Sequence, residues 1–308
     1  MKILQILLTF GFSLSCSATE YLPVAYDAYG FFHLNSGQST YVGYRPNTYN
    51  ETNPISLLVW MHGCGGNAEG DMWSIAPPST RQTQSHIAIS IGGRDGACWR
   101  LGVDDSKVLA AITDVARYFN INPRKIYLSG YSSGGDMTYR VGLQNASWGA
   151  GLLIENSNLP STSLMAGAAW KVNVAHLAHL SDTTYPIATV RASLATLASN
   201  GFPVVKIEKA GTHYDADNGA FGTTYDLIHF LLPYVDVGWM SPGTVLSPPT
   251  LVSNQFHFNL TGMVGKNYIV QFTTNLSSTN WIPLVTNAAP FTVIDTNAIS
   301  AQRFYRAK

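Results

Sequence analysis

Five residues midway along the chain, Gly130-Tyr131-Ser132-Ser133-Gly134, hold the side chain best placed for covalent chemistry. A serine hydroxyl is a weak nucleophile until a base takes its proton and donors stabilise the oxyanion formed on attack at a carbonyl. Both needs are met when the serine sits on a tight strand-to-helix turn, where only small flanking residues avoid collision. Residues 125–129 read as the strand before it, and the segment from Gly134 onward as the helix after it. Ser129 and Ser133 do not lie between glycines at this spacing, so Ser132 is the expected nucleophile.

The partners of such a serine are sought in loops that follow other strands. His62-Gly63-Cys64-Gly65-Gly66 comes directly after the apolar run 55–61, and a glycine-rich loop there can turn N–H groups toward an oxyanion. The amides of Cys64 and Ser133 are the expected donors. For the base, His229 falls inside an apolar helical stretch, His257 lies far downstream, and His176 and His179 fall within a strand pattern. His213, in a glycine-containing loop after the strand 204–207, is the expected base. Where the serine sits on such a strand-to-helix turn, the chain order is serine, acid, histidine. Asp182, in Leu180-Ser-Asp-Thr-Thr-Tyr-Pro186, is the expected acid, with Asp215 and Asp217 the alternatives that read better as loop caps. His176, His179 and Asp182 do not make a metal site, because that spacing alternates faces of a strand. No metal or cofactor is expected.

The elements that must position these residues alternate. Strand runs at 55–61, 86–91, 125–129, 151–154, 172–177 and 204–207 are interleaved with helical periods behind Asp104 and at 187–199 and 221–232. Asn122-Pro123 reads as the close of the segment that starts at Asp104. Two short edge strands precede them, near 29–34 and 39–44. Alternation of this kind predicts an α/β fold, a mostly parallel sheet covered by helices on both faces. After residue 240 the pattern changes. Ser241-Pro-Gly-Thr-Val-Leu-Ser-Pro-Pro249 reads as a stiff linker, and 250–308 as short alternating strands of a small C-terminal sandwich-like β module.

Bulk properties narrow the class. Across 308 residues, 18 basic groups balance 18 acidic ones and only 12% of residues are charged, so nothing supplies the basic footprint of a nucleic-acid binder. Lys2, the short apolar stretch 3–14 and the small residues Cys16-Ser17-Ala18 read as an export signal at 1–18. The catalytic domain is then 19–240, and a lipid anchor at Cys16 is the lesser reading. Removal of that segment leaves Cys64 and Cys98. An even count in an oxidising compartment suggests one disulfide, with two buried free thiols as the alternative.

Four motifs in order carry a family resemblance: His62-Gly-Cys64, Ala97-Cys-Trp99, Tyr127-Leu-Ser-Gly-Tyr-Ser-Ser-Gly-Gly-Asp-Met-Thr138 and Asp182-Thr-Thr-Tyr-Pro186. Over about residues 30–235 the chain resembles the α/β-hydrolases of carbohydrate esterase family one, the secreted feruloyl and acetyl-xylan esterases. It resembles equally the extracellular polyhydroxyalkanoate depolymerases. The resemblance implies a Cys64–Cys98 bridge and an acyl pocket walled by Trp99, with Tyr131 and Tyr214 as further pocket residues. His213-Tyr214 departs from the His-Trp common in those relatives, which leaves the pocket's shape open. The implied activity is a secreted, monomeric serine esterase that acts through an acyl-enzyme on a polymeric ester, most simply feruloyl or acetyl groups on plant polysaccharide. An aliphatic-polyester depolymerase and a catalytically silent surface-binding protein are the rivals.

Overall fold

The computed structural model describes residues 21–308 apart from 79–80, 82–83, 147–148, 169, 218–226, 236–244, 254, 262–266, 276–279, 289, 297–302 and 308. The expected export segment, Cys16 included, lies outside the described residues, as do positions 241–244 of the expected linker.

The apolar runs become strands because each must bury two faces. Eight strands form one sheet: β1 (Phe31–Asn35), β2 (Thr40–Tyr44), β3 (Ile55–Met61), β4 (His86–Ile91), β5 (Ile121–Tyr131), β6 (Gly149–Glu155), β7 (Asn173–His179) and β8 (Val204–Lys209). Their order is β1-β2-β4-β3-β5-β6-β7-β8. Antiparallel pairing links β1, β2 and β4, and every pair from β4 to β8 is parallel. Along β3, Leu57, Val59 and Met61 pack into one apolar core and Leu58 and Trp60 into a second on the opposite face. That two-sided burial is why the run shows no polar alternation.

Helices connect the parallel strands: α1 (Ala68–Ile75), α2 (Asp105–Val115), α3 (Ser133–Gln144) and α4 (Ile187–Ser199). Asn67 caps α1 by accepting from the Gly70 amide at 2.8 Å, and α4 begins behind Pro186. The helix expected at 221–232 is described only from residue 227, as a π-helical turn Leu227–Leu231 followed by Leu232–Val235.

Asn122-Pro123, expected to close the helical segment that starts at Asp104, lies inside β5, and α2 ends earlier, at Val115. Pairing to β3 occurs at Ile121↔Ile55 and resumes at Leu57↔Ile126 after a register shift, so Pro123, which has no N–H to donate, falls in the stretch that skips the ladder. The C-terminal strands form two small antiparallel sheets. One holds β9 (Val245–Leu246), β10 (Thr250–Val252), β11 (Gln255–Thr261) and β14 (Phe291–Asp295). The other holds β12 (Asn267–Thr273), β13 (Ile282–Ala288) and β15 (Phe304–Ala307). Phe258, Leu260 and Val293 from the first sheet share an apolar core with Tyr268 and Val270 from the second. Buried Asp295 is held there by Arg303 and by the Tyr305 hydroxyl. Val245 and Leu246, read from sequence as linker, pair with β11. Among the described residues, no helix is long and apolar enough to cross a membrane.

Candidate active site

The turn from β5 into α3 sets the position of Ser132. Its backbone takes φ 54° and ψ −121°, a conformation costing a non-glycine residue about 1–3 kcal/mol. Surrounding structure holds it there. The Ser132 amide donates to the Glu155 carbonyl at 3.0 Å, and its carbonyl accepts from the Asp136 amide at 3.1 Å. A Cβ at Gly134 would lie 1.9 Å from the Met61 carbonyl oxygen, and one at Gly130 would lie 2.5 Å from the Gly134 backbone. Backbone cannot rotate away, so the Gly-x-Ser-x-Gly spacing is a packing requirement of this turn.

His213 stands at the first position of a short 3-10 turn after β8. Its carbonyl accepts from the Tyr131 hydroxyl at 2.8 Å and from Asn156 Nδ2 at 3.1 Å. The ring nitrogen Nε2 lies 3.0 Å from Ser132 Oγ, and Nδ1 lies 2.8 Å from Asp182 Oδ2. The second oxygen of Asp182 accepts from the amides of Thr184 and Tyr185, each at 2.8 Å. The Ser181 amide donates to the Gly211 carbonyl at 2.8 Å, which ties the acid's loop to the histidine's loop. All three side chains are buried: Ser132 is 5%, Asp182 5% and His213 6% exposed. These hydrogen bonds therefore lie in a low-dielectric setting, where hydrogen bonds to charge are stronger than in water.

The rival acid and histidines go elsewhere. Asp215 accepts from the amide and hydroxyl of Thr212, the latter at 2.9 Å, and so braces its own loop. The Asp217 and His229 side chains lie outside the described residues, and His257 is in β11. His176 Nδ1 meets the Tyr139 hydroxyl at 3.1 Å, and His179 Nδ1 meets the Asn156 side chain. Burial lowers the pKa of both, in His176 to about 3, and in His179 against the opposing charge of Asp215.

The loop His62–Gly66 runs beside the nucleophile. A Cβ at Gly63 would meet the Tyr131 ring at 2.5 Å and would lie 3.4 Å from Ser132 Cβ. Cys64 is bridged to Cys98, and Trp99 Nε1 donates to the His62 carbonyl at 2.9 Å. The Gly66 amide closes the turn on the Gly63 carbonyl at 3.1 Å. The first-turn amides of α3, which include Ser133, have no partner within the helix and carry the positive end of its dipole.

Two of the expected pocket residues stand behind the site. Trp99 is buried against Gly93 and the His62 loop, and Tyr131 is buried between Gly63 and the His213 carbonyl. Tyr214 alone among the three is open, 77% exposed at the rim with its ring edge-on to His213. The sequence reading also passed over a polar group beside the triad. Tyr185 lays its ring near-parallel to His213 at 5.7 Å, and its hydroxyl donates to Asp136 Oδ2 at 2.8 Å. The other oxygen, Asp136 Oδ1, accepts from the Ser157 hydroxyl at 2.7 Å. Burial, then the Asp136 charge, push the Tyr185 pKa above the ordinary phenol value. Burial likewise raises the Asp136 pKa, against hydrogen bonds from Ser157, Tyr185 and the Asn158 amide.

No family model and no curated protein matches the sequence. Solved structures do match. A thermostable esterase aligns with TM-score 0.51 and 16% identity, over 65% of this chain and 59% of its own. Esterase PE8 aligns with TM-score 0.51 and 16% identity, over 62% and 96%. FphF, a fluorophosphonate-binding serine hydrolase of Staphylococcus aureus, aligns with TM-score 0.54 and 14% identity, over 69% and 98%. This chain thus spans less than two thirds of the first of these proteins. At such identities the likeness is one of fold, and the fold is that of the α/β-hydrolases. The arrangement found at Ser132 is chemically suited to acyl transfer: a nucleophile, a base within reach of its proton, an acid on the base's far nitrogen and amides nearby.

Proposed function

We propose that this chain is a secreted serine ester hydrolase that works through an acyl-enzyme. One observation carries the reading: Ser132, His213 and Asp182 form a continuous hydrogen-bonded chain at 3.0 Å and 2.8 Å, with Ser132 on a strained strand-to-helix turn. Ser132 Oγ attacks the ester carbonyl while His213 Nε2 takes its proton. Asp182 holds the ring with Nδ1–H toward itself and stabilises the imidazolium. The amides of Cys64 and Ser133 receive the oxyanion. His213 passes its proton to the leaving alcohol, then draws one from water as the acyl group is released. Secretion is supported by the Cys64–Cys98 bridge, a bond that persists in oxidising compartments, and by the export-like residues 1–18.

For substrate, the four sequence motifs support feruloyl or acetyl esters on polysaccharide. A second reading, an aliphatic polyester, is favoured by the apolar surface near the triad: Leu180 is 45% exposed two residues before Asp182, and Tyr214 follows His213. Labelling with an organophosphate followed by peptide mapping should place the adduct on Ser132 and lose it in Ser132→Ala. An adduct elsewhere sinks the assignment. Side-by-side hydrolysis of methyl ferulate, acetylated xylan and polyhydroxybutyrate then separates the two substrate readings.

A further inference from the structure

The triad leaves unused a buried polar cluster that touches it. Asp136 lies one helical turn beyond Ser132 on α3, and a Cβ at Gly135 would meet Ser157 Cβ at 2.4 Å, so Gly135 lets Ser157 close in. Tyr185 is anchored at both ends. Its amide donates to the catalytic acid, Asp182, and its hydroxyl donates to Asp136. Its ring lies against His213, whose Nε2 is 3.0 Å from Ser132 Oγ, and Asp136, which holds its oxygen, donates its amide to the Ser132 carbonyl, so the phenol stands beside the nucleophile.

Resting on the esterase reading above, we propose that Tyr185 is a further catalytic residue, whose phenol oxygen orients the water that hydrolyses the acyl-enzyme. A phenol has one proton to give, and Asp136 takes it, so the remaining lone pairs of Tyr185 can only accept. In the free enzyme the Ser132 hydroxyl donates to His213 Nε2. Once Ser132 Oγ carries the acyl group it has no hydrogen to donate. Two acceptors, His213 Nε2 and the Tyr185 oxygen, then flank the acylated serine, and a water molecule has two hydrogens to satisfy them. Its first hydrogen passes to His213 Nε2 as its oxygen bonds to the acyl carbon. The second stays on the oxygen, held by Tyr185, and fixes the direction of attack. The C–Oγ bond then breaks, His213 returns the proton to Ser132, and the acid leaves. Tyr185 keeps its own proton throughout, hydrogen-bonded to Asp136 Oδ2, as a phenol with a raised pKa does.

Acylation does not need this water, so the two half-reactions separate the idea from a structural role. With p-nitrophenyl acetate in stopped flow, Tyr185→Phe keeps the ring but loses the oxygen. It should give a nitrophenol burst equal to the enzyme, then a steady state slowed about tenfold or more. KM should fall with kcat and leave kcat/KM within about twofold. Asp136→Asn should shift kinetics the same way by a smaller factor, because an amide oxygen still accepts from the phenol. Equal losses of kcat and kcat/KM without a burst, or wild-type kinetics in Tyr185→Phe, overturn the proposal. Organophosphate labelling of Ser132 in the same variant keeps the outcomes distinct: labelling without a burst refutes the role of Tyr185 alone. Absence of labelling in the wild type refutes the esterase reading beneath it.

Discussion

Removing both bridge cysteines tests how much of the site depends on the covalent tie between two loops. The bond joins residues 34 apart, so it closes a loop that contains α1 and β4. In the chain-entropy treatment a loop of that length is worth about 4 kcal/mol at 25 °C. For a domain of some 200 residues, about 2–4 °C of melting temperature accompanies each kcal/mol, which predicts a drop of roughly 8–16 °C in Cys64→Ser/Cys98→Ser. Urea unfolding and calorimetry on the double variant and its parent measure it. Thiol titration of denatured, unreduced parent should find neither cysteine free. Activity should respond more gently. Trp99 still grips the His62 carbonyl and Gly66 still closes on Gly63, so the Cys64 amide is loosened rather than removed. A complete loss of one oxyanion donor costs about 10²–10³ in kcat, and the variant should lose less. A double variant that unfolds within about 1 kcal/mol of the parent refutes the reasoning, because the bridge then constrains neither the unfolded chain nor the loop.

Three further perturbations follow from other parts of the structure. Gly134→Ala puts a methyl 1.9 Å from a backbone carbonyl, and should destabilise by about 1–3 kcal/mol while lowering kcat, read by urea midpoint and ester turnover. His176 has its pKa lowered by burial to about 3, against 6.5 when exposed, so the unfolded chain binds a proton that the fold refuses. Its share of stability is full above about pH 6.5 and is lost as pH falls toward 3. Between pH 7 and 5 that amounts to about 2 kcal/mol, and the corresponding slope should vanish in His176→Gln. Deleting residues 245–308 removes every strand of the two C-terminal sheets and no member of the triad, so turnover of a small soluble ester should stay within about twofold. A folded truncation that has lost small-ester turnover places part of the site in the C-terminal module.

What could be read from sequence was whatever local pattern encodes. The two-sided burial of β3 showed as an unbroken apolar run, and the helical period at 187–199 ended where α4 does, at Ser199. The turn at Ser132 was legible because it admits only glycine two positions to either side. Asp182 and His213 were legible because each closes a strand–loop unit, and the structure brings them to 2.8 Å. Pro123 misled for an equally physical reason. Expected to close the helical segment behind Asp104, it sits inside β5 instead, which a strand tolerates where no N–H is needed, and β5 skips its ladder there.

The direction in which a side chain points is not written in local pattern. Trp99 and Tyr131 are aromatic residues beside catalytic loops, and composition cannot say whether such a ring faces substrate or braces backbone. The Tyr131 ring fills the space left by the absent side chain of Gly63, and Trp99 fills that of Gly93. Gly63 lies far from its partner in sequence, and Gly93, six positions before Trp99, meets it only through the turn between them. Tyr185 and Asp136 are likewise 49 positions apart, joined only because β5, β6 and β7 lie side by side and bring their following loops together. Asp136 alone reads as an ordinary acidic residue in the first turn of a helix, and Tyr185 as a loop aromatic before Pro186. A half-buried carboxylate is best tolerated with donors aimed at both oxygens, and Tyr185 and Ser157 are those donors. An i, i+4 carboxylate behind a turn serine is therefore a reason to seek hydroxyl donors in the loops after the neighbouring strands. In this chain that search ends at Tyr185, stacked on His213.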